Sequence, residues 1–254
     1  MLVRYNLKKI SKLFYALLFP KFCVGCNLEG TWLCLKCQKK ILKVVTQVCP
    51  ECGRVSVYGL YCKLCRYDTI LVKVKGEEKP KKKKIRKPLE GILTTVYFKE
   101  GPTREIIHHY KYNSVTELAK YLVPLMSETL KEYMLPLDII TFTPLFIKRL
   151  AERGYNQSEI LAQGIGKNVK IDVESLLTKT KSTKRQVILK GEKRRKNLKG
   201  VFKLRIKNDE LRIKGKNILI VDDITTTGAT LNECAKVLKE TGANMVWGLV
   251  VARG

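Results

Sequence analysis

Acidic residues are scarce in this chain. Its 254 residues include 50 Lys and Arg against 23 Asp and Glu, a formal net charge of +27. Such an excess attracts polyanions: nucleic acid, phosphorylated metabolites or anionic lipid. Lysine enrichment also accompanies life at high temperature, so charge alone does not establish nucleic-acid binding. The chain lacks any apolar run of roughly 18 residues, which excludes a transmembrane helix. It contains neither G-x-x-x-x-G-K-[ST] nor G-x-G-x-x-G, which excludes a P-loop and a dinucleotide fingerprint. An apolar run over residues 13–19 follows Lys8, Lys9 and Lys12, but Pro20, Lys21 and Phe22 stand where a signal peptide needs small residues. Leu7, Ile10, Leu13, Phe14, Leu17 and Leu18 instead share one helical face. That spacing predicts an amphipathic helix over 1–19, packed on its own protein, with no stable membrane insertion and a cytoplasmic location.

Cysteine is concentrated. Eight of the nine form C-x-x-C pairs: Cys23/Cys26, Cys34/Cys37, Cys49/Cys52 and Cys62/Cys65. A two-residue spacer lets both thiolates reach one tetrahedral metal, so four pairs make two sites. Disulfides suit secreted chains, and nothing here signals export. Iron–sulfur ligation is a rival, but regular pairs in a Lys-rich ribbon favour two structural Zn²⁺ ions; sequential pairing is expected, with a nested scheme joining the outermost pairs as the alternative. The segment looks like a double zinc ribbon over 20–68, too short to bury much core of its own, so metal would supply most of its folding free energy. Cys234, alone on a helical pattern, reads as a small core residue. Residues 69–90 follow as a basic linker, with lysines at 81–84 and no apolar periodicity.

From 91 to 254 strand and helix patterns alternate, predicting an α/β domain with a mostly parallel sheet flanked by helices. Its most informative stretch runs from Ile218 to Thr230. Ile218, Leu219, Ile220 and Val221 end in the adjacent carboxylates Asp222 and Asp223, followed by Ile224, Thr225, Thr226, Thr227, Gly228, Ala229 and Thr230. Backbone N–H groups and Thr hydroxyls of residues 225–230 can wrap a phosphate at the start of the next helix. The two acids, at a strand's carboxyl end, can accept hydrogen bonds from ribose hydroxyls. This stretch resembles the signature of type I phosphoribosyltransferases. That resemblance implies binding of phosphoribosyl pyrophosphate (PRPP) with Mg²⁺, Asp222 and Asp223 serving as the catalytic carboxylates. It also implies a pyrophosphate-binding loop over 143–149, with Lys148 and Arg149 as contacts. His108 and His109 could be invoked as a base, but a histidine on an amphipathic helix is more often packed or surface-exposed.

Further segments resemble one family, ComF: Lys111 in a K-Y segment; Arg153, Gly154, Tyr155, Asn156 and Gln157; and Gln186, Arg195 and Asn197 ahead of the sugar-phosphate motif. With the double zinc ribbon, the likeness spans nearly the whole chain. It implies a role in natural transformation, handling incoming single-stranded DNA. Two other functions are compatible with the residues: an active phosphoribosyltransferase with an unidentified acceptor, and a zinc-ribbon adaptor for a DNA-transport helicase.

Overall fold

Apolar runs that do not alternate suit strands covered on both faces, the condition of a parallel sheet. The computed structural model describes residues 20–72, 81–182, 198, 200–205 and 210–254. The helix expected over 1–19 lies outside them, as do residues 73–80, Gln186, Arg194, Arg195 and Asn197. The cysteine-rich segment carries a short helix, α1 (Leu35–Gln38), and leads into a hairpin of β1 (Tyr67–Val72) with β2 (Lys81–Arg86). There follow β3 (Ile92–Tyr97), α2 (Thr103–Tyr112), α3 (Ala119–Tyr133), β4 (Ile139–Phe142), α4 (Ile147–Arg153) and α5 (Gln157–Val169). After a short antiparallel pair, β5 (Leu177–Lys179) with β6 (Phe202–Leu204), come α6 (Glu210–Ile213), β7 (Asn217–Thr225), α7 (Ala229–Glu240) and β8 (Met245–Arg253).

The main sheet is parallel at every pairing, in the order β3-β8-β7-β4. Ile218, Leu219, Ile220 and Val221 of β7 are completely buried. Successive residues face opposite sides. Leu219 and Val221 join α2, α3 and α5 in one apolar cluster, whereas Ile218 and Ile220 join α6 and α7 in the other. Helices on both faces leave no room for polar residues along this strand until it reaches its carboxyl end.

The cysteine-rich segment is not a separate appendage. Cys23, Leu33, Cys34 and Cys37 belong to the first cluster, Cys49 and Tyr61 to the second. Burying each of Leu33 and Tyr61 contributes about 2 kcal/mol that metal need not supply. The Val44 N–H donates to the Thr95 carbonyl (2.9 Å), and the Tyr97 N–H to that of Leu42 (3.0 Å). The buried Gln47 amide both donates to and accepts from the Thr94 backbone, each at 2.9 Å. Residues 42–47 thereby cover the open edge of β3, where unpaired backbone groups would otherwise face outward.

Three sequence expectations change. Residues 81–86, read as part of a linker, form a strand whose six side chains are all exposed; with no buried face there is no apolar period to betray it. The alternating pattern of 91–254 predicts a strand over 198–205; in the structure it is confined to Phe202–Leu204 and pairs outside the main sheet. The loop expected over 143–149 is cut short, because α4 begins at Ile147.

Gly59 marks the tightest contact between ribbon and sheet. Its φ is +62°, and a Cβ there would stand 2.1 Å from the Ile92 carbonyl oxygen. Gly59→Ala therefore combines a left-handed backbone with a clash against an immovable strand. It is expected to destabilise the protein by at least about 2 kcal/mol, read as a lower thermal midpoint than that of Gly53→Ala, where a Cβ meets open space.

Candidate functional site

Two groups of four thiols are assembled as the sequential pairing requires: Cys23, Cys26, Cys34 and Cys37, then Cys49, Cys52, Cys62 and Cys65. Within each group the sulfurs lie within 4.8 Å of one another. A tetrahedral zinc with Zn–S near 2.3 Å places its sulfurs about 3.8 Å apart. The Cys26–Cys34 and Cys52–Cys62 separations, 3.6 and 3.7 Å, match that edge. The backbone N–H of Cys34 donates to Cys23 Sγ (3.3 Å) and that of Cys62 to Cys49 Sγ (3.5 Å), stabilising charged sulfur. Donor chemistry and spacing fit two structural Zn²⁺ ions. Four thiolates leave no open coordination position, so neither site is built for chemistry.

The remaining candidate residues gather at the carboxyl end of β7. There a cleft of about 730 Å³ is lined by Asp222, Asp223, residues 224–230, Lys111, Arg149, Arg153, Lys179 and Gln157, with Phe98, Tyr112 and Phe202 among its apolar parts. Asp222 is buried; it accepts from Ser158 Oγ (3.0 Å) and from the Asp223 N–H (2.9 Å). Thr143 Oγ1 donates in turn to Ser158 Oγ (3.1 Å), and Asn156 caps α5 through the Ser158 N–H (3.0 Å). Burial, reinforced by the charge of Asp223 and opposed by Lys111, pushes the Asp222 carboxyl up to about 6. Asp223 is also buried and pairs with Lys111 Nζ at 2.8 Å. Its second oxygen, Oδ2, has no hydrogen-bond partner among the described residues.

The Thr/Gly loop is held open. The Thr225 hydroxyl accepts from the Gly228 N–H (3.0 Å), and Gly228 takes φ +71° to start α7. Thr227 Oγ1 is buried and likewise without a partner among the described residues. The structure thus brings Asp222, Asp223, Thr225, Thr226, Thr227, Gly228, Ala229 and Thr230 together with Lys111, Arg149, Arg153 and Gln157. Lys148 is exposed on α4 and does not line the cleft. Gly154 ends α4 in the left-handed region, and the Tyr155 hydroxyl bonds to the Tyr110 carbonyl, so these two shape the wall rather than face a ligand. Arg153 donates to Gln157 Oε1 (2.5 Å) and lies over the Tyr112 ring. His108 lines the cleft, whereas His109 borders a different cavity beside Cys23. Sequence reasoning assigned no role to Thr143 or Ser158, whose hydroxyls reach Asp222 only through the fold.

Residues 151–253 match the Phosphoribosyl transferase domain, and residues 14–66 the Double zinc ribbon domain. The chain is 30% identical over 239 residues to the "DNA utilization protein YhgH" of Escherichia coli K12, covering 89% of this chain and 94% of that protein. It belongs to the ComF family. "Competence protein F" of Haemophilus influenzae is 28% identical, covering 91% of this chain and 96% of the relative. "Competence protein ComFC" of Bacillus subtilis is 25% identical, with coverage of 83% and 79%. The double ribbon and the phosphoribosyltransferase-type cleft are therefore the two halves of a ComF-family protein, and among the described residues no helix is long and apolar enough to cross a membrane.

Elemental analysis of the purified protein should find two zinc ions per chain, and stripping them with a strong chelator should lower the unfolding midpoint, because both clusters are seated in the core. The buried acid has a separate consequence. The Asp222 carboxyl binds its proton near pH 6 in the fold against an ordinary value of 3.8. Its favourable contribution is therefore present below about pH 4 and lost as pH rises through 6. Asp222→Asn should raise stability at pH 7.5 by up to about 3 kcal/mol. The gain should vanish toward pH 4 in thermal melts run across that range.

Proposed function

We propose that the cleft binds the 5′-phosphoribosyl moiety of PRPP, with Mg²⁺ carried on its pyrophosphate, and that this ComF-family protein handles single-stranded DNA in the cytoplasm during natural transformation. The observation that carries the reading is a pair of buried oxygens, Thr227 Oγ1 and Asp223 Oδ2, that have no partner among the described residues, in a cleft rich in cationic side chains. An unsatisfied buried polar atom is costly, so a ligand that supplies its partner binds with that much advantage. A sugar phosphate does so at both places: phosphate oxygens for the loop's N–H and hydroxyl donors, ribose hydroxyls for the acids. Mg²⁺ lowers the charge of a pyrophosphate leaving group. Lys111, paired with Asp223, would compete with a ribose hydroxyl for that carboxylate, and Arg149 and Lys179 would face the pyrophosphate.

Transfer of the phosphoribosyl group to an acceptor is a second reading, supported by the aromatic side chains Phe98, Tyr112 and Phe202 in the cleft's lining, the residue type on which a planar base stacks. Displacement at C1 builds positive charge on the sugar, which Asp222 and Asp223 would stabilise without acting as nucleophiles. Acceptor-dependent pyrophosphate release would separate transfer from binding alone.

For DNA, the support is β2, where Lys82, Lys83 and Lys84 stand exposed on a strand rather than on a slack tether.

Calorimetric titration of the zinc-loaded protein with PRPP and Mg²⁺ should give saturable binding that Asp222→Ala/Asp223→Ala abolishes; no binding by the intact protein would sink the sugar-phosphate reading. Replacing Lys82, Lys83 and Lys84 with Ala should weaken single-stranded DNA binding and flatten its salt dependence by about 2 in the log–log slope. An unchanged slope would remove β2 from any nucleic-acid surface.

A further inference from the structure

The second metal knuckle and the Thr/Gly loop are joined by two sets of polar contacts. Arg253, at the end of β8, lies opposite Thr225 in the parallel register. Its guanidinium donates from Nε to the Thr226 carbonyl (3.3 Å), from Nη1 to the Cys49 carbonyl (3.0 Å) and from Nη2 to the Pro50 carbonyl (2.8 Å). One planar fork thus spans the loop and the Cys49–Cys52 turn. On the other side, Asn232 Nδ2 donates to the Gly228 carbonyl (3.1 Å) and bonds the hydroxyl of Tyr61, the residue before Cys62. A Cβ on Gly228 would stand 3.3 Å from that hydroxyl, so loop and ring are also in direct contact. The first knuckle faces elsewhere: Gly25 abuts Pro102 ahead of α2, and Thr31 hydrogen-bonds Tyr121 of α3 (3.1 Å).

We propose that Arg253, Tyr61 and Asn232 are positioning residues that lock the phosphate-binding loop to the second zinc knuckle, so that metal occupancy there and ligand occupancy of the loop reinforce each other. The role given to the loop rests on the sugar-phosphate reading above; the mechanical coupling does not. Metal binding fixes the backbone around Cys49 and Cys62, and with it the carbonyls and hydroxyl that Arg253 and Asn232 grip. Coupling of this kind is reciprocal: whatever orders the loop also holds the knuckle. Only arginine offers three donors in one plane to three separate carbonyls, so a lysine at 253 keeps the charge but loses the bridge.

The test compares the full-length, zinc-loaded protein with Arg253→Gln, Arg253→Lys and Tyr61→Phe. Under a zinc chelator, alkylation of each cysteine is followed by peptide mass spectrometry; amide hydrogen exchange over 226–230 is measured separately with zinc bound. Arg253→Gln and Arg253→Lys should each label Cys52 and Cys62 about 10-fold faster than the parent, speed loop exchange by a similar factor, and leave Cys26 labelling unchanged. Tyr61→Phe should shift both readouts in the same direction, and it decides the matter if the Arg253 variants do not fold. Equal acceleration at Cys26, or no change in the loop, would overturn the proposal. A further arm with PRPP and Mg²⁺ should slow Cys52 labelling in the parent only. Absence of PRPP binding would fail the sugar-phosphate reading, while the exchange data would still decide the coupling.

Discussion

Two carboxylates at adjacent positions on a buried strand are an electrostatic burden that this structure is organised around. Neither Asp222 nor Asp223 can reach bulk water freely, and burial together with the charge of Asp223 raises the cost of ionising Asp222. The cleft supplies compensation from three directions. Lys111 arrives from α2, Ser158 and Thr143 bring hydroxyls from the start of α5 and the end of β4, and the backbone N–H of Asp223 donates to Asp222. The compensation is partial: Asp223 Oδ2 has no partner among the described residues, and burial pushes the Asp222 carboxyl up to about 6. A site left short of donors is one prepared to accept them from a ligand.

The sheet explains why the burden is tolerated. Parallel pairing of β7 with β4 and β8 occupies both its edges, helices bury both its faces, and the ladder with β8 holds it up to Thr225. The acids project where the strand leaves its cover, which is where open α/β sheets place their ligands. The metal knuckles extend the same scaffold. One is inserted beside α2 and α3 and the other beside β8 and α7, so the ribbon functions as part of the domain's walls rather than as an independent module. A segment with few apolar residues gains a core by sharing its neighbour's, with thiolate–metal bonds holding a shape that packing alone would not specify.

What could be read directly was whatever a short stretch of sequence controls. The C-x-x-C spacing determined that the two thiols of each pair share a metal, because a two-residue spacer brings both sulfurs onto one ion, whereas which pairs join in one site was decided by the fold. The run from Ile218 to Thr230 likewise determined strand, acids, loop and helix in order, since each depends on residue type within a few positions. Exposed β2 carried no such mark; its lysines have no buried face and hence no period. The same limit hid α4, whose seven residues are nowhere fully buried.

Distances along the chain decided the rest. Lys111 and Asp223, Ser158 and Asp222, and Arg253 and Cys49 are far apart in sequence, and no local pattern links the members of any pair. Their meeting follows from strand order and from which helix covers which face, the collective outcome of burying two apolar clusters at once. The sequence by itself thus determined the chemical parts, four C-x-x-C thiol pairs and an adjacent pair of carboxylates followed by a Thr/Gly loop. Only the tertiary structure decided how those parts bear on each other, because long-range contacts are chosen by the packing of the whole domain and not by the residues that make them.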